Sequence, residues 1–270
     1  MRKVLCLLLI ALAIFSFASC KNEPKHEHSF GTTKQFVKQS DGTYKYGYSC
    51  SCGAVNECEV AVGDTGPAGG IIFYIKDSYS DGWRYLEAAP ANLKVVRGVP
   101  TVDSSLEEYS STNTAITSVS FVSGFYRKAD DGENLYVNGT TTYASSDCTG
   151  TGIGTGKNNT ALLAEKMGTS IYRDQTGNVK LDRTVAARVC EDLEYNGFGD
   201  WFLPSKDELN LLYENLKKAD LGDFGTGRFW SSSEDNATPE KMCYQVFDDN
   251  GSQGTMARQI AYAVRPIRQF

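Results

Sequence analysis

Two pairs of potential metal ligands lie near the beginning of the chain. His26 and His28 form one pair and Cys50 and Cys52 form the other, each with one residue between its members. Imidazole nitrogens and thiolates are the ligands that Zn2+ takes in tetrahedral sites. The sequence therefore predicts a zinc site within residues 26–58, although the C-x-C spacing is tighter than the common C-x2-C. Disulfide pairing is the simpler interpretation if the chain is exported.

Carboxylate and amide side chains form two further clusters towards the end of the chain. The first cluster is Glu234, Asp235 and Asn236, and the second is Asp248, Asp249 and Asn250. Their oxygen atoms are the ligands that Ca2+ prefers, so two neighbouring loops of this kind predict a calcium-dependent ligand-binding site. The simpler interpretation is that they are solvated turn residues, because Asp and Asn cap backbone groups in turns.

The sequence offers little for catalysis. Residues 63–270 contain no histidine, which excludes Ser–His–Asp and Cys–His arrangements from that part of the chain. Paired carboxylates for glycoside hydrolysis stay open, but no pair stands out. The glycine-rich run at 150–157 does not have the spacing of a phosphate-binding loop. We therefore predict no catalytic residues and expect a protein that is not an enzyme.

The first 20 residues predict export and anchoring. Two basic residues precede an apolar run over 4–17, which is typical of a signal peptide. The four residues that end at Cys20 (Phe-Ala-Ser-Cys) resemble the lipobox of bacterial lipoproteins, whose cysteine is acylated with fatty acids such as palmitate. We expect Cys20 to anchor the protein in a lipid bilayer of the cell envelope, at the outer membrane or the cell surface. A plain signal peptide followed by an unmodified cysteine is the alternative.

The net charge argues against a nucleic-acid partner. The loss of Arg2 and Lys3 with the leader takes the net charge from −6 to −8, without a basic stripe. Residues 21–62 then form a tether and a small module rich in β-structure. Aromatic residues on both sides of the Asp41-Gly42 turn predict a β-hairpin in it.

The remainder, 63–270, predicts one α+β domain. A Gly/Pro-rich boundary at 63–70 precedes strands at 71–75 and 83–89, joined by a polar turn, and then a loop-rich region over 91–156. Helices are predicted at 158–168, 184–194 and 205–218. Ser205 and Glu208 form a capping box at the start of the third helix. A four-stranded meander is predicted at 229–233, 242–247, 254–260 and 262–268.

Five segments of this domain carry a resemblance to a known family. They are Gly-Gly-Ile-Ile-Phe-Tyr at 69–74, Trp-Arg-Tyr-Leu-Glu-Ala-Ala-Pro at 83–90, Asp-Trp-Phe-Leu-Pro-Ser-Lys-Asp-Glu-Leu at 200–209, Phe-Trp-Ser-Ser-Ser-Glu at 229–234 and Val-Arg-Pro-Ile-Arg at 264–268. They resemble the C-terminal domain of the Legionella collagen-like adhesin, a domain of unknown function related to C-type-lectin-like and formylglycine-generating-enzyme-like folds. The resemblance implies a C-type-lectin-like domain in which the first strand pairs with the last.

The resemblance also implies a function and a disulfide. It favours a surface adhesin that binds a glycan or a host or envelope protein, with the calcium clusters holding sugar hydroxyls. An envelope enzyme acting on carbohydrate and a purely structural lipoprotein are the alternatives. Pairing of Cys190 with Cys243 would match an arrangement of C-type-lectin-like domains, and buried thiols are the alternative. A polyanionic ligand would require Arg258, Arg265 and Arg268 to gather on one face.

Overall fold

The computed structural model of the protein describes residues 27–96, 98–103, 116–124, 145–167, 172–173, 179–180 and 185–270. The predicted leader, Cys20, the tether and His26 lie outside these residues, as do large parts of the predicted loop region. Within the described ranges, no helix has the length and apolar character needed to cross a membrane.

The N-terminal module is a three-stranded antiparallel sheet. Its strands are β1 (Phe30–Lys38), β2 (Tyr44–Cys50) and β3 (Val55–Glu57), in that order across the sheet. The Asp41 carboxylate accepts a hydrogen bond from the Thr43 N–H at 3.0 Å, which tightens the turn between β1 and β2. The predicted hairpin is confirmed.

The rest of the chain mixes short strands with three described helices, as an α+β fold requires. The strands are β4 (Ile71–Ser80), β5 (Trp83–Ala88), β6 (Lys94–Val96), β7 (Val99–Thr101), β8 (Ile116–Ser118), β9 (Phe121–Val122), β10 (Tyr172–Arg173), β11 (Val179–Lys180), β12 (Arg228–Glu234), β13 (Lys241–Val246), β14 (Gln253–Ala257), β15 (Ala261–Tyr262) and β16 (Ile267–Gln269). The helices are α1 (Gly156–Met167), α2 (Ala186–Glu191) and α3 (Lys206–Asn215), and a 3-10 turn at Lys217–Ala219 follows α3.

The last strand does not pair with the first strand of this part of the chain. The sheet order is β16-β5-β4, so β16 lies beside the second strand. The outer edge of β4 is already occupied, because Ile72 exchanges backbone hydrogen bonds with Gly63 and Asp64 at 2.8 and 2.9 Å.

The polar turn between β4 and β5 is shorter than predicted. Strand β4 continues to Ser80, and Asp81 and Gly82 turn with positive φ angles of 55° and 82°.

The predicted meander is correct for three strands and wrong for the fourth. Strands β12, β13 and β14 form one antiparallel sheet. The segment expected as the fourth strand divides instead into β15, which pairs with β9, and β16, which pairs with β5. Two residues between them explain the break. Pro266 has no N–H to continue a ladder, and the buried Arg265 side chain donates to the Ala89 carbonyl at 2.9 Å.

The capping box at the start of α3 is confirmed. The Ser205 hydroxyl accepts from the Glu208 N–H at 3.3 Å, and the Glu208 carboxylate accepts from the Ser205 N–H at 2.7 Å. Helix α3 buries Leu209, Leu212 and Tyr213 and packs against β4, β12 and β13. Helix α2 ends earlier than predicted, at Glu191.

The segment before α3 lies between two hydrophobic clusters. Trp201 and Leu203 belong to one cluster and Phe202 to the other, so alternate side chains point to opposite sides. The Phe202 N–H donates to the Ile267 carbonyl at 2.8 Å, which ties the segment to β16. All three tryptophans (Trp83, Trp201 and Trp230) are buried, as expected for core residues.

Candidate functional site

The N-terminal module brings three of the predicted zinc ligands together. His28 precedes β1, Cys50 ends β2, and Cys52 lies in the turn that leads to β3. Pairing of Phe30 with Cys50 brings the two strand ends to the same place. The turn is closed by Gly53, whose N–H donates to the Cys50 carbonyl at 2.9 Å.

The ligand atoms of these residues lie close enough to share one ion. The His28 Nδ1 is 3.1 Å from the Cys52 Sγ, and the three ligand atoms of His28, Cys50 and Cys52 lie within 4.8 Å of one another. Tetrahedral Zn–S and Zn–N bonds place ligand atoms about 3.5–4 Å apart. One imidazole and two thiols within 4.8 Å of one another could therefore hold a metal ion. The predicted fourth ligand, His26, lies outside the described residues.

The two acidic clusters do not form the predicted calcium site. Glu234 ends β12, whereas Asp248 follows β13 beside the start of β12, because Arg228 pairs with Val246. The clusters therefore lie at opposite ends of one hairpin, about 20 Å apart at ~3.3 Å per residue. Asp235 and Asp248 accept backbone hydrogen bonds within their own turns, which is the simpler role expected of them.

Three buried glutamates each hold a Gly- or Ser-containing loop. The Glu87 carboxylate accepts from the N–H groups of Ala68 and Gly70 at 3.0 and 2.8 Å. Glu208 accepts from the Gly154 N–H at 2.8 Å in addition to its capping bond. Glu234 accepts from the half-buried Ser145 hydroxyl and from the buried Ser146 N–H, and it forms a buried ion pair with Arg258. These long-range roles were not predicted, because nothing in the local sequence shows which loop a carboxylate reaches.

Burial raises the pKa of Glu208, despite the hydrogen bonds that stabilise its charged form. A carboxyl whose pKa is higher in the folded state stabilises the protein below its unfolded pKa, and this contribution is lost as pH rises through the folded value. We therefore expect Glu208→Gln to flatten the decline in unfolding free energy as pH rises above 4.5, the ordinary pKa of a glutamate, measured by urea denaturation. Glu214→Gln, at the exposed Glu214, is the control and should leave the decline unchanged. Equal slopes in wild type and Glu208→Gln would contradict the prediction.

The predicted Cys190–Cys243 disulfide is absent, and both residues are buried thiols. Cys190 packs into the core cluster that also holds Trp201 and Trp230, whereas Cys243 lies near Lys206 at the start of α3. The two side chains therefore face different neighbours. Burial raises the pKa of the Cys190 thiol, and it raises that of Cys243 to about 11, so both stay protonated at neutral pH.

The three arginines do not form a basic surface. Arg258 pairs with Glu234, and Arg265 is fully buried among backbone carbonyls. Arg268 donates to Asp200 at 2.8 Å and to Glu87 at 3.1 Å. Each arginine therefore joins separate segments inside the fold. The three do not gather on one face, as a polyanionic ligand would require.

A groove lies between the N-terminal module and the β4–β5 hairpin, and we call it the junction groove. Its first cavity, of about 200 Å3, is lined by Gly42, Thr43, Tyr44, Tyr79, Gly82, Arg84, Tyr85 and Phe270. The Phe270 ring lies 5.2 Å from Tyr44 and 5.3 Å from Tyr85. A second cavity, of about 290 Å3, shares Arg84 and Tyr85 and is also lined by Glu59, Val60 and Ile75. The sequence did not indicate this groove, because its residues come from distant parts of the chain.

Comparison with protein-family models and with curated proteins finds no match to this chain.

Proposed function

We propose that the chain is a lipid-anchored binding protein of the cell envelope, in which a C-type-lectin-like domain and an N-terminal module present a ligand site between them. The observation that carries this proposal is the junction groove, whose walls come from both parts. Phe36 of the module packs 5.4 Å from Tyr85 and 5.2 Å from Phe270, so the two walls are held together by ring contacts. The lipobox-like residues before Cys20 support the anchor.

The test uses the intact acylated protein in phospholipid vesicles, offered to immobilised glycans and to immobilised envelope and host surface proteins. We expect selective binding in at least one of these two arms. Cys20→Ala should move the protein from the membrane fraction to the soluble fraction. Failure to bind in both arms would contradict the binding function, and membrane retention of Cys20→Ala would contradict the anchor.

We also propose that the module holds one structural zinc ion at His28, Cys50 and Cys52. A bound zinc would supply a cross-link between the strand ends of a very small sheet. Metal analysis of the full chain, purified under reducing conditions, should find about one zinc per molecule. Mass spectrometry that finds a Cys50–Cys52 disulfide and no zinc would support the competing interpretation instead.

A carbohydrate-active enzyme is the alternative, and a glycoside turnover assay separates it from a binding protein. Glu87, Glu208 and Glu234 are engaged with backbone N–H groups of neighbouring loops, which favours structural roles for these carboxylates. Turnover that is lost on substitution of one Asp or Glu pair would favour the enzyme.

A further inference from the structure

We propose that the junction groove binds a neutral saccharide, with one pyranose ring in the cavity beside Tyr79 and the next residue beyond Arg84 and Tyr85. This inference rests on the proposed binding function and names the ligand class and its site. It places the ligand away from the two acidic clusters in which calcium was expected.

The aromatic residues of the groove provide a surface for a sugar ring. Tyr79 lies near the tip of the β4–β5 hairpin and is 57% exposed, although tyrosine is usually at least half-buried. Tyr44, Tyr85 and Phe270 form the adjoining wall through mutual ring contacts. A pyranose has an apolar C–H face that packs on aromatic rings, while tyrosine adds a hydroxyl for the polar rim of the sugar.

Polar groups beside these rings can bind sugar hydroxyls. The Arg84 Nε donates to the Lys76 carbonyl at 3.2 Å, and its guanidinium carbon lies 5.4 Å from the Tyr85 ring centroid. These two contacts orient a planar group with five N–H donors at the boundary of the two cavities. Glu59, in the second cavity, is an acceptor for sugar O–H groups.

The charges of the groove favour a neutral ligand. Arg84 is the cation of the lining and Glu59 is the carboxylate, so the two formal charges cancel. A sulfated or uronic-acid chain would require an excess of basic groups. Arg258, Arg265 and Arg268 are buried and add nothing to this surface.

The size of the groove limits the ligand. The first cavity, of about 200 Å3, is smaller than the ~300–1,000 Å3 pockets that hold drug-sized molecules. It suits one ring rather than a folded ligand. The second cavity has Arg84 and Tyr85 in common with the first, and the proposal places the next residue of a linear chain there.

The test uses the full mature chain in detergent micelles with four immobilised neutral probes: tetrasaccharides of glucose, N-acetylglucosamine, mannose and galactose. We expect binding to at least one probe. Tyr79→Ala should weaken it at least tenfold and Arg84→Gln about threefold or more, whereas Tyr79→Phe, which keeps the ring, should stay within about threefold of wild type. Val99→Ala alters a 64% exposed apolar residue outside the groove and should bind like wild type.

The outcomes separate the groove from the wider function. Saccharide binding that is unchanged in Tyr79→Ala, in a protein with the wild-type melting temperature, overturns the site and leaves the binding function standing. Preference for a sulfated tetrasaccharide, or for a proline-rich peptide of the kind that also docks on aromatic grooves, overturns the ligand class. Binding to immobilised surface proteins, without binding to any saccharide, also overturns the ligand class. Failure to bind any glycan or protein overturns both proposals.

Discussion

Cys52→Ser should abolish zinc binding and unfold the N-terminal module while leaving the rest of the protein folded. The Cys52 Sγ lies 3.1 Å from the His28 Nδ1, so its loss removes one of the three described ligand groups. The module has few buried residues, among them Tyr46 and Cys50. Units below ~40 residues usually depend on metals, disulfides or association. Apparent binding energies of structural zinc are about 10–16 kcal/mol in small peptides, so the effect on the module should be large.

Hydrogen exchange and metal analysis together check this result. Amides of β1, β2 and β3 should lose protection in Cys52→Ser and, equally, in wild type treated with a chelator. Cys58→Ser is the matched control. Cys58 lies beside Tyr46, with its N–H donating to the Tyr46 carbonyl at 2.8 Å, and is outside the ligand cluster. Full protection of the strands in Cys52→Ser would mean that the contacts of Phe36, rather than a metal, hold the module.

Arg268→Ala should lower the free energy of unfolding by about 3–5 kcal/mol, because it leaves a carboxylate buried without its cation. The Arg268 guanidinium donates to Glu87 at 3.1 Å and to Asp200 at 2.8 and 3.0 Å. The side chains of Glu87 and Arg268 are both almost fully buried. The network joins β16, β5 and the segment before α3, so urea denaturation should show one earlier cooperative transition.

Two further variants test the cause of this loss. Lys218→Ala removes an exposed ion pair with Glu214 that water screens, so it should leave the free energy of unfolding close to the wild-type value. The double variant Glu87→Gln/Arg268→Met replaces both buried charges and should recover part of the loss. If Arg268→Ala cost as little as Lys218→Ala, the buried network would not stabilise the fold.

Local signals predicted the local structure well. The capping box of Ser205 and Glu208 defines the start of α3, because both hydrogen bonds join groups within three residues. The hairpin at Asp41-Gly42 follows from turn residues between alternating aromatics. The C-x-C pair and His28 could be connected because the hairpin brings its own ends together. In each case the interacting residues lie in one local unit, so the sequence pattern is enough to predict the structure.

The predictions of contacts between distant segments were missing or wrong. The last strand was predicted to pair with β4, but it pairs with β5. Residues 63–65 already occupy the outer edge of β4. The pairing of Cys190 with Cys243 failed because the two side chains face different neighbours. The predicted calcium clusters failed because their turns lie at opposite ends of one hairpin. None of these outcomes follows from residue type or spacing.

The sequence by itself determined the start of α3, the hairpin at Asp41-Gly42, the mixed α+β class, and that imidazole and thiol groups occur together in the module. Only the tertiary structure decided which loops Glu87 and Glu208 hold, and that Tyr44, Tyr79 and Phe270 meet in one groove. The physical reason is the distance along the chain between the residues that interact. Hydrogen bonds and periodic burial act over three to seven residues and leave a pattern, whereas the packing of distant segments depends on the shape of the whole core.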